Sequence, residues 1–152
     1  MKKRMLSALL AVCMMLTLLP TTALATNQDG FDAVTNAVNA YNQGSGGTGK
    51  LAVEPRPTVD NVVKTKVIRI TGEISGATQG LKLDLPADSE IEIWWDAKLS
   101  GDTGGGITDG WSGLVELTAQ GDSKSSFVMK GGSIENESGN GIFIYSRQAN
   151  SN

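Results

Sequence analysis

From Val67 to Tyr145 the chain is built of short segments in which apolar and polar residues alternate, and no other feature limits its folds as much. Val67-Ile68-Arg69-Ile70 leads into Thr71-Gly72-Glu73-Ile74-Ser75-Gly76. Leu81, Leu83 and Leu85 alternate with Lys82 and Asp84, and Ile91, Ile93 and Trp95 with Glu92 and Trp94. Val115 and Leu117 flank Glu116, and Phe127 and Met129 flank Val128. A period of two, bounded by Gly, Pro, Asp and Ser, marks short strands with one face in a core.

The order of these segments carries more than their composition. Gly80, Gly113 and Gly141 each precede a strand, at separations of 33 and then 28 residues. The first two strands are each followed by a second, at 91–93 and 127–129. A short closing element then comes at 97–101 or 132–136, and 71–76 reads as the closing element of an earlier unit. A unit of this kind cannot bury its apolar face alone. Stacking brings Leu81/Leu83, Leu114/Leu117 and Ile142/Ile144 near one another, with backbone hydrogen bonds running between successive coils. The sequence therefore predicts a solenoid. An antiparallel sandwich is the competing arrangement. It needs tight hairpins, and the Asp-Gly and Asn-Gly pairs stand only at 29–30, 109–110 and 140–141.

Ahead of the strands, residues 29–44 read as a helix. Phe31, Val34, Val38 and Tyr41 share one face, Asp29 or Asp32 caps the start and Gly44 ends it. Gly44-Ser45-Gly46-Gly47-Thr48-Gly49 reads as a flexible joint. Pro55 and Pro57 argue against a long central strand after it.

The first 25 residues have a different purpose. Lys2, Lys3 and Arg4 precede an apolar run from Met5 to Leu19, Pro20 breaks it, and Ala23-Leu24-Ala25 offers small residues to a signal peptidase. The run is shorter than the roughly 20 residues a bilayer span requires. Cys13 lies inside the apolar core behind bulky Val12, which argues against a lipidated cysteine. Cleavage after Ala25 removes three of the 13 basic residues, none of the 16 acidic ones and the single cysteine, so the remainder carries a net charge of −6 and no disulfide. A nucleic-acid partner does not suit that balance. The chain has no histidine, which removes the commonest general base and metal ligand together. No cofactor or metal is expected.

Val128-Met129-Lys130-Gly131-Gly132-Ser133-Ile134-Glu135-Asn136, followed by Gly139-Asn140-Gly141-Ile142, resembles the coils of right-handed parallel β-helix proteins. More narrowly it is similar to pectate-lyase-like and adhesin-like regions of bacterial secreted or surface proteins. Gly30 to Ala40, with the Gly-rich turn and strand after it, is similar to the N-terminal cap of that family. The resemblance implies an all-β fold, a short right-handed parallel β-helix (solenoid) with an N-terminal capping helix. Its enzymes have many more coils, calcium-binding carboxylates with a basic residue, or paired Asp with a His. No stretch of this chain matches those sets, so no catalytic residue is expected.

The expected organisation is a signal peptide over 1–25, a capping helix and Gly-rich joint over 26–49, β-helix coils over 50–145, and a polar tail over 146–152 that reads as a truncated coil. The expected function is a secreted or cell-surface module without catalysis, adhesin-like, binding extracellular glycan or matrix, or acting as a spacer. The alternative is a truncated polysaccharide lyase or glycoside hydrolase. No stable membrane insertion is expected after cleavage, and an uncapped last coil invites edge-to-edge self-association. Asp84, Asp88, Glu90, Glu92 and Asp96 read as a solvated face rather than a paired acid and base. The Gly101–Gly110 segment reads as a protruding loop, since it lacks the Lys-Ser/Thr ending of a phosphate-binding loop. One platform stands out. Alternation sends Trp94 and Glu92 outward, and the Gly-rich loop can bring Trp111 close, so these three are the candidate sugar contacts.

The exported protein should begin at Thr26. Intact-mass and N-terminal sequence measurements on secreted material check this, and a chain still starting at Met1 would refute it.

Overall fold

A computed structural model describes residues 22–104 and 113–147. It is mostly strand, arranged in parallel sheets, with one helix among the described residues. In chain order the elements are α1 (Thr22–Gly44), β1 (Thr48–Pro55), β2 (Thr58–Val59), β3 (Val62–Val63), β4 (Val67–Ala77), β5 (Leu81–Leu85), β6 (Glu92–Trp95), β7 (Lys98–Gly101), β8 (Gly113–Gln120), β9 (Ser126–Met129), β10 (Ser133–Asn136) and β11 (Asn140–Arg147). No helix among the described residues is long and apolar enough to cross a membrane.

Three parallel stacks carry the fold. The first half of β4 pairs with β6, and β6 with β9. The second half of β4 pairs with β7, and β7 with β10. β5 pairs with β8, and β8 with β11. Side chains in register form columns through the layers: Ile68–Ile93–Phe127, Ile70–Trp95–Met129, Ile74–Leu99–Ile134 and Leu83–Leu117–Ile144. Every member of these columns in the first two layers is buried. The Leu81 column continues through Val115 to Ile142, one residue away from the expected Leu114, which is buried beside it. Each buried leucine or isoleucine is worth about 1.5–3 kcal/mol against exposure, so the columns are the main source of stability.

Corners between strands demand glycine or hydroxyls. A Cβ on Gly132 would stand 1.9 Å from the Ala97 carbonyl oxygen, and its φ of 69° belongs to the left-handed region. Where β5 turns into β6, fully buried Ser89 bonds to Ser123 Oγ at 2.9 Å, Ser125 Oγ at 3.1 Å and the Pro86 carbonyl at 2.8 Å. The turn after β8 thus stacks on the turn after β5 through satisfied polar groups, as burial requires. Trp95 is the exception: its buried Nε1 finds no partner among the described residues, which costs about 1–3 kcal/mol.

Three sequence expectations change. The helix already runs from Thr22, the first described residue, so Asp29 and Asp32 lie on its exposed side within it and cap nothing. Asn27 instead ties its first described turns down, accepting the Glu90 backbone N–H at 2.9 Å. The Gly44–Gly49 joint is no joint, because β1 begins at Thr48 and runs antiparallel along β4. A Cβ on Gly49 would meet the Glu73 carbonyl oxygen at 2.1 Å, so glycine serves close backbone approach there. The third change is a hairpin, β2–β3, turned by Asp60 and Asn61 with φ of 53° and 61°. Two residues at positive φ make the type I′ turn that matches strand twist, and Asp-Asn supplies it without glycine.

The apolar face of α1 packs into the core formed with the strands. Phe31, Val34, Val38 and Tyr41 are buried. The Asn42 side chain brackets Leu51, donating to its carbonyl at 2.9 Å and accepting its N–H at 2.8 Å. Tyr41 donates its hydroxyl to the Gln79 carbonyl at 3.0 Å, and burial pushes its pKa up to about 12. The unfolded chain releases this proton near pH 10, below the folded protein. The associated stability is therefore complete below about pH 10 and lost as pH rises toward 12. Denaturant unfolding from pH 8 to 12 should show this decline, and Tyr41→Phe should flatten it. An identical alkaline decline in Tyr41→Phe would remove Tyr41 as its source.

Candidate functional site

β6 places the candidate platform. Its alternation buries Ile93 and Trp95 and turns Glu92 and Trp94 outward, both half-buried. Trp94 lies in register between Arg69 of β4 and Val128 of β9. The indole Nε1 donates to Glu92 Oε1. Glu92 therefore holds the ring upright and gives that oxygen to it, where the sequence suggested it would receive ligand hydroxyls. Lys130, immediately after β9, sets its ammonium 4.3 Å from the Trp94 ring centroid.

Arg69 forms the next wall. Its Nε, at 2.9 Å, and its Nη2 both donate to Asp96 Oδ2. The Asp96 hydrogen bond holds the guanidinium further into its charged range, against partial desolvation. The β2–β3 hairpin leans over this surface. Thr58, Val59 and Asp60 join Arg69, Trp94, Asp96 and Lys130 around a groove of about 500 Å³. It offers an aromatic floor, donors in Lys130 and Arg69, and acceptors in Asp60 and Asp96.

The remaining acidic residues are dispersed. Asp84 and Asp88 are exposed, and Glu90 pairs with Lys66 at 2.5 Å, which draws its carboxyl below the usual range. A second groove of about 500 Å³ lies between the two stacked turns, lined by Asp88, Ser89, Glu90, Asp122, Ser123 and Lys124. Among the described residues no three of His, Cys, Asp or Glu converge where they could hold a metal ion. In the described part of the Gly-rich segment, Asp102 Oδ1 accepts the Gly104 N–H at 2.8 Å. That amide is therefore engaged internally. Trp111 lies outside the described residues.

Sequence reasoning brought Trp94 and Glu92 together but missed Arg69, Lys130 and the hairpin as neighbours. The stack register holds the missing signal. Residues 81–85 and 92–95 both repeat 34 residues later, at 115–119 and 126–129. Extending that offset carries Asp96 onto Lys130, at the outer edge of the same face. Comparisons with protein-family models, curated proteins and solved structures give no match.

The Trp94 ring is neither loose on the surface nor sealed in the core. Trp94→Ala forfeits a cation–π contact of about 0.5–1 kcal/mol and part of its packing. It should cost about 1–2 kcal/mol in chemical denaturation. A loss above about 3 kcal/mol, the range of fully buried aromatics, would make Trp94 a packing residue instead.

Proposed function

We propose that this protein is an exported, non-catalytic parallel β-helix module that holds a saccharide in the Trp94 groove, at the cell surface or in the medium. The three stacks support the fold reading. Each layer visits them in the same order, β6–β7–β8 and then β9–β10–β11, and each strand returns parallel to its predecessor. Returns of that kind are right-handed in nearly all sheets, which supports a three-sided, right-handed coil. The charged start, apolar run and Ala-Leu-Ala of residues 1–25 support export. The resemblance of the coils to adhesin-like surface regions supports the same setting.

The observation that carries the ligand reading is an indole fixed by Glu92 on the floor of a groove that mixes donors and acceptors. Pyranose rings present an apolar face for an aromatic and a rim of hydroxyls for polar groups. Lys130 does not close the site. An exposed cation–π contact of about 0.5–1 kcal/mol is weak enough for a sugar to displace, and the freed ammonium can then donate to its hydroxyls. Arg69 stays fixed by Asp96, which makes it a preorganised wall.

A glycan array probed with the exported chain tests this reading. Binding should be present in wild type and lost in Trp94→Ala, while the variant stays folded and loses no more than about 2 kcal/mol of stability. Absence of glycan binding by wild type, or full binding by Trp94→Ala, would refute the groove as a saccharide site.

A further inference from the structure

The two ends of the stacked layers differ. The first layer is covered: β1 pairs with β4 from Ile68 to Ser75, and α1 is tied through Tyr41 to the Gln79 carbonyl just before β5. Among the described residues the third layer has no such cover. Among the described residues β9, β10 and β11 each pair with one neighbouring strand. Their inward side chains continue the apolar columns, yet Met129 is 44% and Ile144 56% exposed, and Phe127, Ile134 and Ile142 are half-buried. Three strand edges and an apolar interior on one end form a template for another layer.

We propose that this end docks the same end of a second copy, tail to tail, in a two-fold dimer. The inference rests on the three-sided layer proposed above. Strand lengths fit the symmetry. β11 has eight residues, and β9 and β10 have four each. A two-fold axis lying in the interface sets β11 antiparallel to its own copy and β9 against β10 of the second copy, so eight meets eight and four meets four. Charge fits as well. Lys130 ends the β9 side and Glu135 lies in β10, both exposed. The exchange brings opposite signs together at both symmetric positions. That matters for an exported chain whose net charge of −6 makes its copies repel elsewhere. Because the first layer is already covered, the contact is isologous and growth stops at two.

Sedimentation velocity on the exported chain over a wide concentration range should show monomer and dimer and nothing larger. Ile144→Lys, at an exposed position, should give monomer with unchanged circular dichroism. Lys130→Glu should weaken the dimer about tenfold or more, and adding Glu135→Lys should restore it. Cysteine variants report the pairing, since Cys13 is the only native cysteine and lies in the signal segment. Ile144→Cys should cross-link to itself, whereas Met129→Cys and Ile134→Cys should cross-link only when the two variants are mixed. Monomer at every concentration, or growth beyond dimer, would overturn the proposal. A dimer that gives the Ile144 link but no Met129–Ile134 link would overturn the three-sided layer on which it rests, and glycan binding read on the cysteine variants, none of which alters a residue lining the groove, keeps that failure separate from the groove.

Discussion

The backbone ladder between successive layers is the interaction on which the rest depends. Parallel pairing in register places each inward side chain directly over its counterpart, so one constraint on the backbone becomes a constraint on every column. Ile70, Trp95 and Met129 follow one another because β4, β6 and β9 exchange hydrogen bonds. A slip of one residue would turn Trp94 into the core and Trp95 into water. The corners obey the same logic. Gly132 must approach the Ala97 carbonyl, and Ser89, Ser123 and Ser125 must satisfy one another, because one turn lies on the next.

Stacking solves burial in the interior of the stack and leaves it unsolved at its ends. At the first layer a helix and an antiparallel strand provide the solution. The buried residues of α1 lie three or four apart, from Phe31 to Tyr41, so one stripe meets the layer. Asn42 and Tyr41 then fix the helix by hydrogen bonds to the backbone of Leu51 in β1 and of Gln79 before β5. Among the described residues the third layer has apolar positions of the same kind without such cover, and its exposed Met129 and Ile144 follow from that asymmetry.

The groove is a product of stacking as well. Arg69, Trp94 and Lys130 come from β4, β6 and the end of β9, and they are neighbours only because the first stack aligns those strands. The hairpin that completes the wall is independent of the stack, held by its own type I′ turn. A rigid face with a short projecting hairpin is a suitable base for a binding surface, because the scaffold fixes what the ligand would otherwise have to order.

The sequence by itself determined the strands of the stacks, their order, and which residues face inward, because alternation and glycine punctuation are local properties of the chain. The apolar face of the helix was legible for the same reason, and Trp94 could be sent outward by counting from Ile91. What the sequence obscured was where glycine and asparagine act through neighbours distant in the chain. Gly49 reads as a flexible joint until the Glu73 carbonyl is placed against it. The β2–β3 turn was missed because Asp60-Asn61 reaches positive φ without glycine. The start of α1 was hidden because Asp29 and Asp32 look like caps, while Asn27 finds its partner in the backbone of Glu90, 63 residues away. Glu92 looked free until the Trp94 indole N–H was seen to occupy it, and Lys130 could be set over that ring only by the register of β9 on β6. Local pattern settles what each segment wants to bury. Only the tertiary structure decides which segments meet, because that choice depends on hydrogen-bond register between residues tens of positions apart.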